Sequence, residues 1–155
     1  MEKEIIFLVV LDDSQEMFRA LRYAARRSSR NNGRVALLYT FDTLEFSHWK
    51  AVEDIAEVES REKAEEKIAE YENFVMSFTE KKPKKFIMKG DRVECIIKFL
   101  EANNFISNFV LAASEKSSPS DSLISSFTGK NRSKIKVPLT ILPSSLSEEE
   151  IDKLS

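Results

Sequence analysis

Ile5-Ile6-Phe7-Leu8-Val9-Val10-Leu11-Asp12-Asp13-Ser14 is the stretch that decides the fold of this chain. An unbroken apolar run closes on two acids and a hydroxyl, and an amphipathic helical pattern begins at once. A strand that is apolar at every position has both faces covered, which is the condition of a central strand in a parallel α/β sheet. In open sheets of that kind, ligands sit outside the carboxyl ends of the strands. Asp12 and Asp13 therefore stand where chemistry is expected.

Outward from this strand, Asp13 and Glu16 have the spacing of a reciprocal helix cap, with Asp13 as the N-cap. Met17, Leu21, Ala24 and Ala25 then share one helical face, and Asn31-Asn32-Gly33 ends the helix. Residues 35–40 read as a second strand. A long acidic helix is expected from about residue 48 to 79, with Ala64, Ile68, Tyr71, Val75 and Phe78 as its core stripe. Its opposite face, with Glu62, Glu65, Glu66 and Glu70, reads as solvated. Residues 86–89 form a short third strand. Gly90 turns the chain, and Asp91 caps a helix that Asn103-Asn104 closes. Residues 109–113 are a fourth strand, and a serine-rich stretch leads into a weaker helix around residues 123–127. Residues 137–142 are the fifth strand, and Ser147 caps a terminal helical turn. Strands and helices in alternation, joined by right-handed crossovers, make a three-layer α/β/α sandwich. No repeat or linker divides the sequence, so one domain over residues 1–155 is expected.

Composition narrows the classes of function. A hydrophobic share of 42% and a charged share of 32% are those of an ordinary globular protein. The net charge of −2 argues against nucleic acid as a partner, which calls for a basic excess. No apolar run approaches the roughly 20 residues of a membrane span, and Met1-Glu2-Lys3-Glu4 does not open a signal peptide. Cys95, the single cysteine, suits a reducing compartment, so the expected location is the cytoplasm. Glycine is scarce, three in 155 residues, against a usual share of about 7%.

The order and spacing of these segments resemble the universal stress protein family. The residues that carry the resemblance are the strand closing on Asp12, the helix with Arg19-Ala20-Leu21-Arg22-Tyr23-Ala24, and the strand Val35-Ala36-Leu37-Leu38. Gly90, the strand Val110-Leu111-Ala112-Ala113-Ser114 and the closing Val137-Pro138-Leu139-Thr140-Ile141 continue it. Phe46-Ser47-His48-Trp49, Gly129-Lys130 and the tail from Leu146 to Asp152 are similar to one bacterial subgroup. The resemblance implies an adenine nucleotide alpha hydrolase-like sheet in the order 3-2-1-4-5. It also implies a cytoplasmic homodimer paired through the fifth strand and a stress-response role exercised by binding.

Nucleotide-binding members of that family carry glycines from the fourth strand into the fourth helix, so that backbone N–H groups surround a triphosphate. The corresponding places here fall near Ala113, Lys116 and Ser125 or Ser126, and none is glycine. Side chains crowd the phosphate space, which leaves ATP at most at low affinity and no required cofactor. Lys116 and the hydroxyls of Ser114, Ser117 and Ser118 remain as anion contacts. The adenine side of the cleft, between Asp12 and Thr40, admits an adenine-containing small molecule, and an unidentified protein is the other partner expected. The alternative is a nucleotide switch or slow ATPase of the same family, but no residue stands out as its general base.

For Asp12, a ribose contact competes evenly with a carboxylate that accepts loop N–H groups. A phosphoacceptor receiver domain would need an Asp closing the third strand, where Met88-Lys89-Gly90 stands. His48 and Cys95 read as packing residues, and no Cys/His cluster has metal-ligand spacing. Gly129-Lys130 lacks the rest of a phosphate-binding loop and reads as a helix terminator.

Overall fold

A computed structural model describes residues 3–42, 50–115 and 119–155, with the side chains of residues 50–53 left aside. In chain order its elements are β1 (Ile5–Leu11), α1 (Gln15–Arg30), β2 (Gly33–Phe41), α2 (Lys50–Met76) and β3 (Lys84–Lys89). They continue with α3 (Arg92–Ala102), β4 (Asn108–Ala112), α4 (Pro119–Thr128), β5 (Leu139–Leu142) and α5 (Glu148–Leu154). The five strands form one sheet in the order β3-β2-β1-β4-β5, with every neighbouring pair parallel. The expected order is therefore observed, with β1 at the centre.

The period-two alternation of β1 assigns its side chains to two cores. Phe7, Val9 and Leu11 meet α1 and α2 through Met17, Leu21, Ile68 and Tyr71. Ile6, Leu8 and Val10 meet α3 and α4 through Ile96, Phe99, Leu123 and Phe127. Each face thus carries two helices, and α5 adds a short third against α1. Among the described residues, no helix is long and apolar enough to cross a membrane.

Local chemistry sets the boundaries. Gly33 opens β2 where a Cβ would come within 2.9 Å of the Ser28 Cα, so the close return of the chain beside β1 excludes a side chain. Gly90 has φ +137°, and its N–H donates to the Phe41 carbonyl at 2.8 Å. Asp91 caps α3 as expected, accepting the Glu94 N–H. Ser147 and Glu150 form a complete capping box, which extends the expected terminal turn into α5.

Several boundaries differ from the sequence reading, and four of them bear on the packing around the strand ends. The N-cap of α1 is Ser14, whose side chain accepts the Met17 N–H, and not Asp13. Asp13 instead adopts φ +61°, a conformation an Asp tolerates better than most residues, and its carboxylate turns away to two tyrosines. β5 begins at Leu139 rather than at residue 137. The Pro138 carbonyl accepts the Phe109 N–H at 2.9 Å, but proline has no N–H to return, so the ladder starts one residue later. β3 starts two residues earlier, at Lys84, which pairs with Ala36. α4 starts at Pro119, well before the expected residue 123.

Candidate functional site

Asp12 lies just past β1, continuing the Ile6, Leu8, Val10 side that faces α3 and α4, and it is buried. Thr40, also buried, follows Ala36 and Leu38 on the same side of β2. Because Val10 pairs with Leu38, the two residues extend neighbouring strands at the same level. Asp12 and Thr40 thus lie at one level on the same side of the sheet.

Both carboxylate oxygens of Asp12 are engaged. One accepts the Ser14 N–H at 3.0 Å and the Ser14 hydroxyl at 2.5 Å, and the other accepts the Ser120 hydroxyl at 2.6 Å. Hydrogen bonds to an ionised acceptor are about twice as strong as neutral ones. Asp12 therefore ties the β1–α1 turn to the first turn of α4. The local reading of Asp12 as an acceptor of loop donors is what the structure holds.

Ser114 repeats the arrangement one strand over. Its N–H donates to Asp121 Oδ1 at 3.1 Å and its hydroxyl to Oδ2 at 2.5 Å. Asp121 stands in the first turn of α4, where negative charge is favoured by the helix dipole. An internal carboxylate thus takes both donors of Ser114. The Ala113 N–H is committed to the Leu142 carbonyl at 2.9 Å, within the β4–β5 pairing.

Arg19, from α1, spends its guanidinium on three carbonyls: Ala113 at 3.1 Å, Pro143 at 2.7 Å and Leu146 at 2.8 Å. It lines a pocket of about 310 Å³ beside Glu16, Ala113, Ser114 and Glu115. Ser125 and Ser126 stand further along α4. They line a groove of about 880 Å³ between α3 and α4, and the Ser126 hydroxyl accepts from Asn131 Nδ2 at 2.6 Å. Asp12, Thr40, Ala113 and Ser114 lie at the strand ends, and Ser125 and Ser126 line a groove that Asp91 and the Ser114 partner Asp121 also line. Lys116, Ser117 and Ser118 lie outside the described residues, as do Phe46, Ser47, His48 and Trp49.

Asp13 faces the other side of the sheet. Its carboxylate accepts the Tyr71 hydroxyl at 2.5 Å and, more distantly, that of Tyr39 at 3.4 Å. Burial first, and then the neighbouring Asp13 charge, push both phenols above their ordinary range. Neither tyrosine was legible as a partner of Asp13. Ser120, Asp121 and Arg19 were also missed, although an acid in the first turn of a helix was a usable signal for Asp121. Cys95 is a buried core residue as expected, with burial raising its thiol. Among the described residues, no group of three His, Cys, Asp or Glu could hold a metal ion.

Residues 6–143 match the family model described as the Universal stress protein family. No curated protein matches the sequence. Among solved structures, the chain is similar to universal stress protein UspA from Lactobacillus plantarum, with a TM-score of 0.68 at 18% identity, covering 92% of this chain and 99% of that one. It is also similar to a protein of the same family from Burkholderia pseudomallei, with a TM-score of 0.64 at 16% identity and coverage of 92% and 98%. A third is a universal stress protein in complex with cAMP, with a TM-score of 0.61 at 12% identity and coverage of 93% and 100%.

Proposed function

The chain belongs to the universal stress protein family, and from that premise we propose that it serves a stress response by binding rather than by turnover, with weak or absent ATP binding. The observation that carries this reading is the Asp121 carboxylate on the Ser114 N–H and hydroxyl. An incoming phosphate would meet a like charge and donors already in use. Asp12 adds a second carboxylate whose oxygens are taken up within the protein, and Arg19 spends its charge on three carbonyls. Missing glycines near Ala113, Lys116, Ser125 and Ser126 act in the same direction.

The adenine side of the cleft is a separate matter. Asp12 and Thr40 sit side by side there, and one structural neighbour was solved with cAMP bound. An adenine-containing small molecule of low charge is therefore the small ligand we assign to this cleft, with no cofactor required. The working form in this reading is a cytoplasmic homodimer paired through β5. Of the two sheet edges, β3 carries the exposed Lys84, Lys85 and Lys89, while β5 presents Ile141, 38% exposed. Charged edges resist pairing and apolar ones invite it.

Calorimetry with Mg-ATP tests the central claim. Weak or undetectable heat is expected, and a dissociation constant in the low micromolar range would overturn the reading in favour of a nucleotide switch.

A further inference from the structure

A groove runs along the whole flank of α3. Its first part, about 880 Å³, separates α3 from α4, and its second, about 450 Å³, separates α3 from residues 133–137. Lys134 lines both parts, so the two adjoin at that residue, and the Val93, Ile97 and Leu100 ridge of α3 runs past both. These three residues face the groove at the i, i+4, i+7 spacing of one helical ridge, each partly buried against the core. Ile135 and Val137 extend the apolar lining past the last residue of α4.

The two walls carry opposite charge. Asp91, Glu94 and Glu101 stand along α3, and Lys130, Lys134 and Lys136 stand along the other side, where Asp121, bonded to Ser114, is the one acid. The three acids along α3 and the three lysines are exposed, and none of these six forms an ion pair among the described residues. The walls are therefore too far apart to satisfy each other, and the space between them has an apolar floor.

We propose that this groove docks an amphipathic α-helix of a partner protein. The helix would have an apolar stripe, acidic residues along the edge that meets the lysine wall, and basic residues along the edge that meets the α3 wall. A helix fits better than an extended peptide because no strand edge lines the groove, so an extended backbone would find no ladder of partners. The ridge of Val93, Ile97 and Leu100 offers the packing surface a second helix requires. α3 has 11 residues, so at about 1.5 Å per residue the channel accommodates about three turns. The inference rests on the reading of the chain as a binder only for its purpose. Its test contains no nucleotide, so it stands or fails apart from the ATP result.

The test uses the full chain and three labelled synthetic helical peptides of about 14 residues, each with a leucine stripe. One has a glutamate edge and a lysine edge, one has two lysine edges, and one has two glutamate edges. Fluorescence anisotropy should show saturable binding strongest for the mixed-edge peptide. The double reversal Lys130→Glu with Lys134→Glu makes both walls acidic. It should weaken the mixed-edge peptide by about tenfold or more and strengthen the two-lysine-edge peptide. Both lysines are exposed, so the variant should keep the parent melting temperature. The single variant Glu94→Lys, which alters the opposite wall, should shift preference toward the two-glutamate-edge peptide. Absence of saturable binding, an affinity unchanged by either substitution, or self-association of the chain that the double reversal disperses would overturn the proposal.

Discussion

Asp121→Asn should turn a phosphate-averse cleft into a phosphate-tolerant one. The substitution keeps the side chain's shape, so the Ser114 N–H retains an acceptor, but it removes the negative charge that now sits 3.1 Å from the Ser114 nitrogen. A phosphate oxygen drawn to the same donors would lie about 4 Å from the carboxylate. At an effective dielectric constant near 20, two unit charges at that separation repel by about 4 kcal/mol. The site is partly open to water, so a third to a half of that figure is the safer expectation, which corresponds to roughly a tenfold gain in affinity. Tripolyphosphate is the cleanest probe because it lacks a base, and Mg-ATP and adenosine complete the set. Calorimetry should show tripolyphosphate and ATP gaining about tenfold while adenosine changes little, since its binding needs no relief of charge. The folded state should lose stability by about 1–3 kcal/mol, because two charge-assisted hydrogen bonds become neutral ones. A folded Asp121→Asn protein whose tripolyphosphate and ATP affinities equal those of the parent would refute the reasoning. The Ser114–Asp121 pair would then be a loop brace without bearing on the ligand.

Tyr71→Phe removes the hydroxyl that holds Asp13 in its left-handed conformation, and urea unfolding should register a loss of about 1–3 kcal/mol; an unchanged midpoint would show that Asp13 is held by something else. Ile141→Asp places a charge on the exposed β5 edge and should convert the proposed dimer into a monomer by light scattering, whereas a parent protein that is already monomeric at micromolar concentration would remove the premise. Asp152 is held below its ordinary 3.8, first by its paired hydrogen bonds to Arg22 and then by the charges of Arg22 and Arg26. A carboxylate lowered in the folded state stabilises above its unfolded value, and that contribution is lost as pH falls through the folded value. The protection of the α5 amides, measured against the intrinsic exchange rate at each pH, should therefore hold at neutral pH and fall below about pH 4 ahead of that of the sheet, and Asp152→Asn should lower it already at neutral pH.

The sheet was legible because its signal is redundant. Each of the alternating side chains of β1 has a core to enter, so an unbroken apolar run has no other stable place than the centre. The ends of elements carry no such redundancy. Asp12, Asp13 and Ser14 are three successive residues of capping type, and sequence spacing favoured Asp13 with Glu16. The choice is made by a tertiary partner: Tyr71, 58 residues away, takes the Asp13 carboxylate, which leaves Ser14 to cap α1. The same holds at α4, where Ser120 and Asp121 reach back to Asp12 and Ser114 and so draw the helix start forward to Pro119. The two acids after β1 end up on opposite faces of the sheet, Asp12 bonded to Ser120 and Asp13 to Tyr71. Asp12 therefore meets α4 through Ser120, and Asp13 anchors the long helix α2 through Tyr71. A ligand that displaces Ser14 from Asp12 must also strain the turn that presents Asp13 to Tyr71. For that reason Asp12, Ser14 and the Asp13–Tyr71 bond belong to one mechanical unit, although the pairing of Asp13 with Tyr71 could not be named from the sequence.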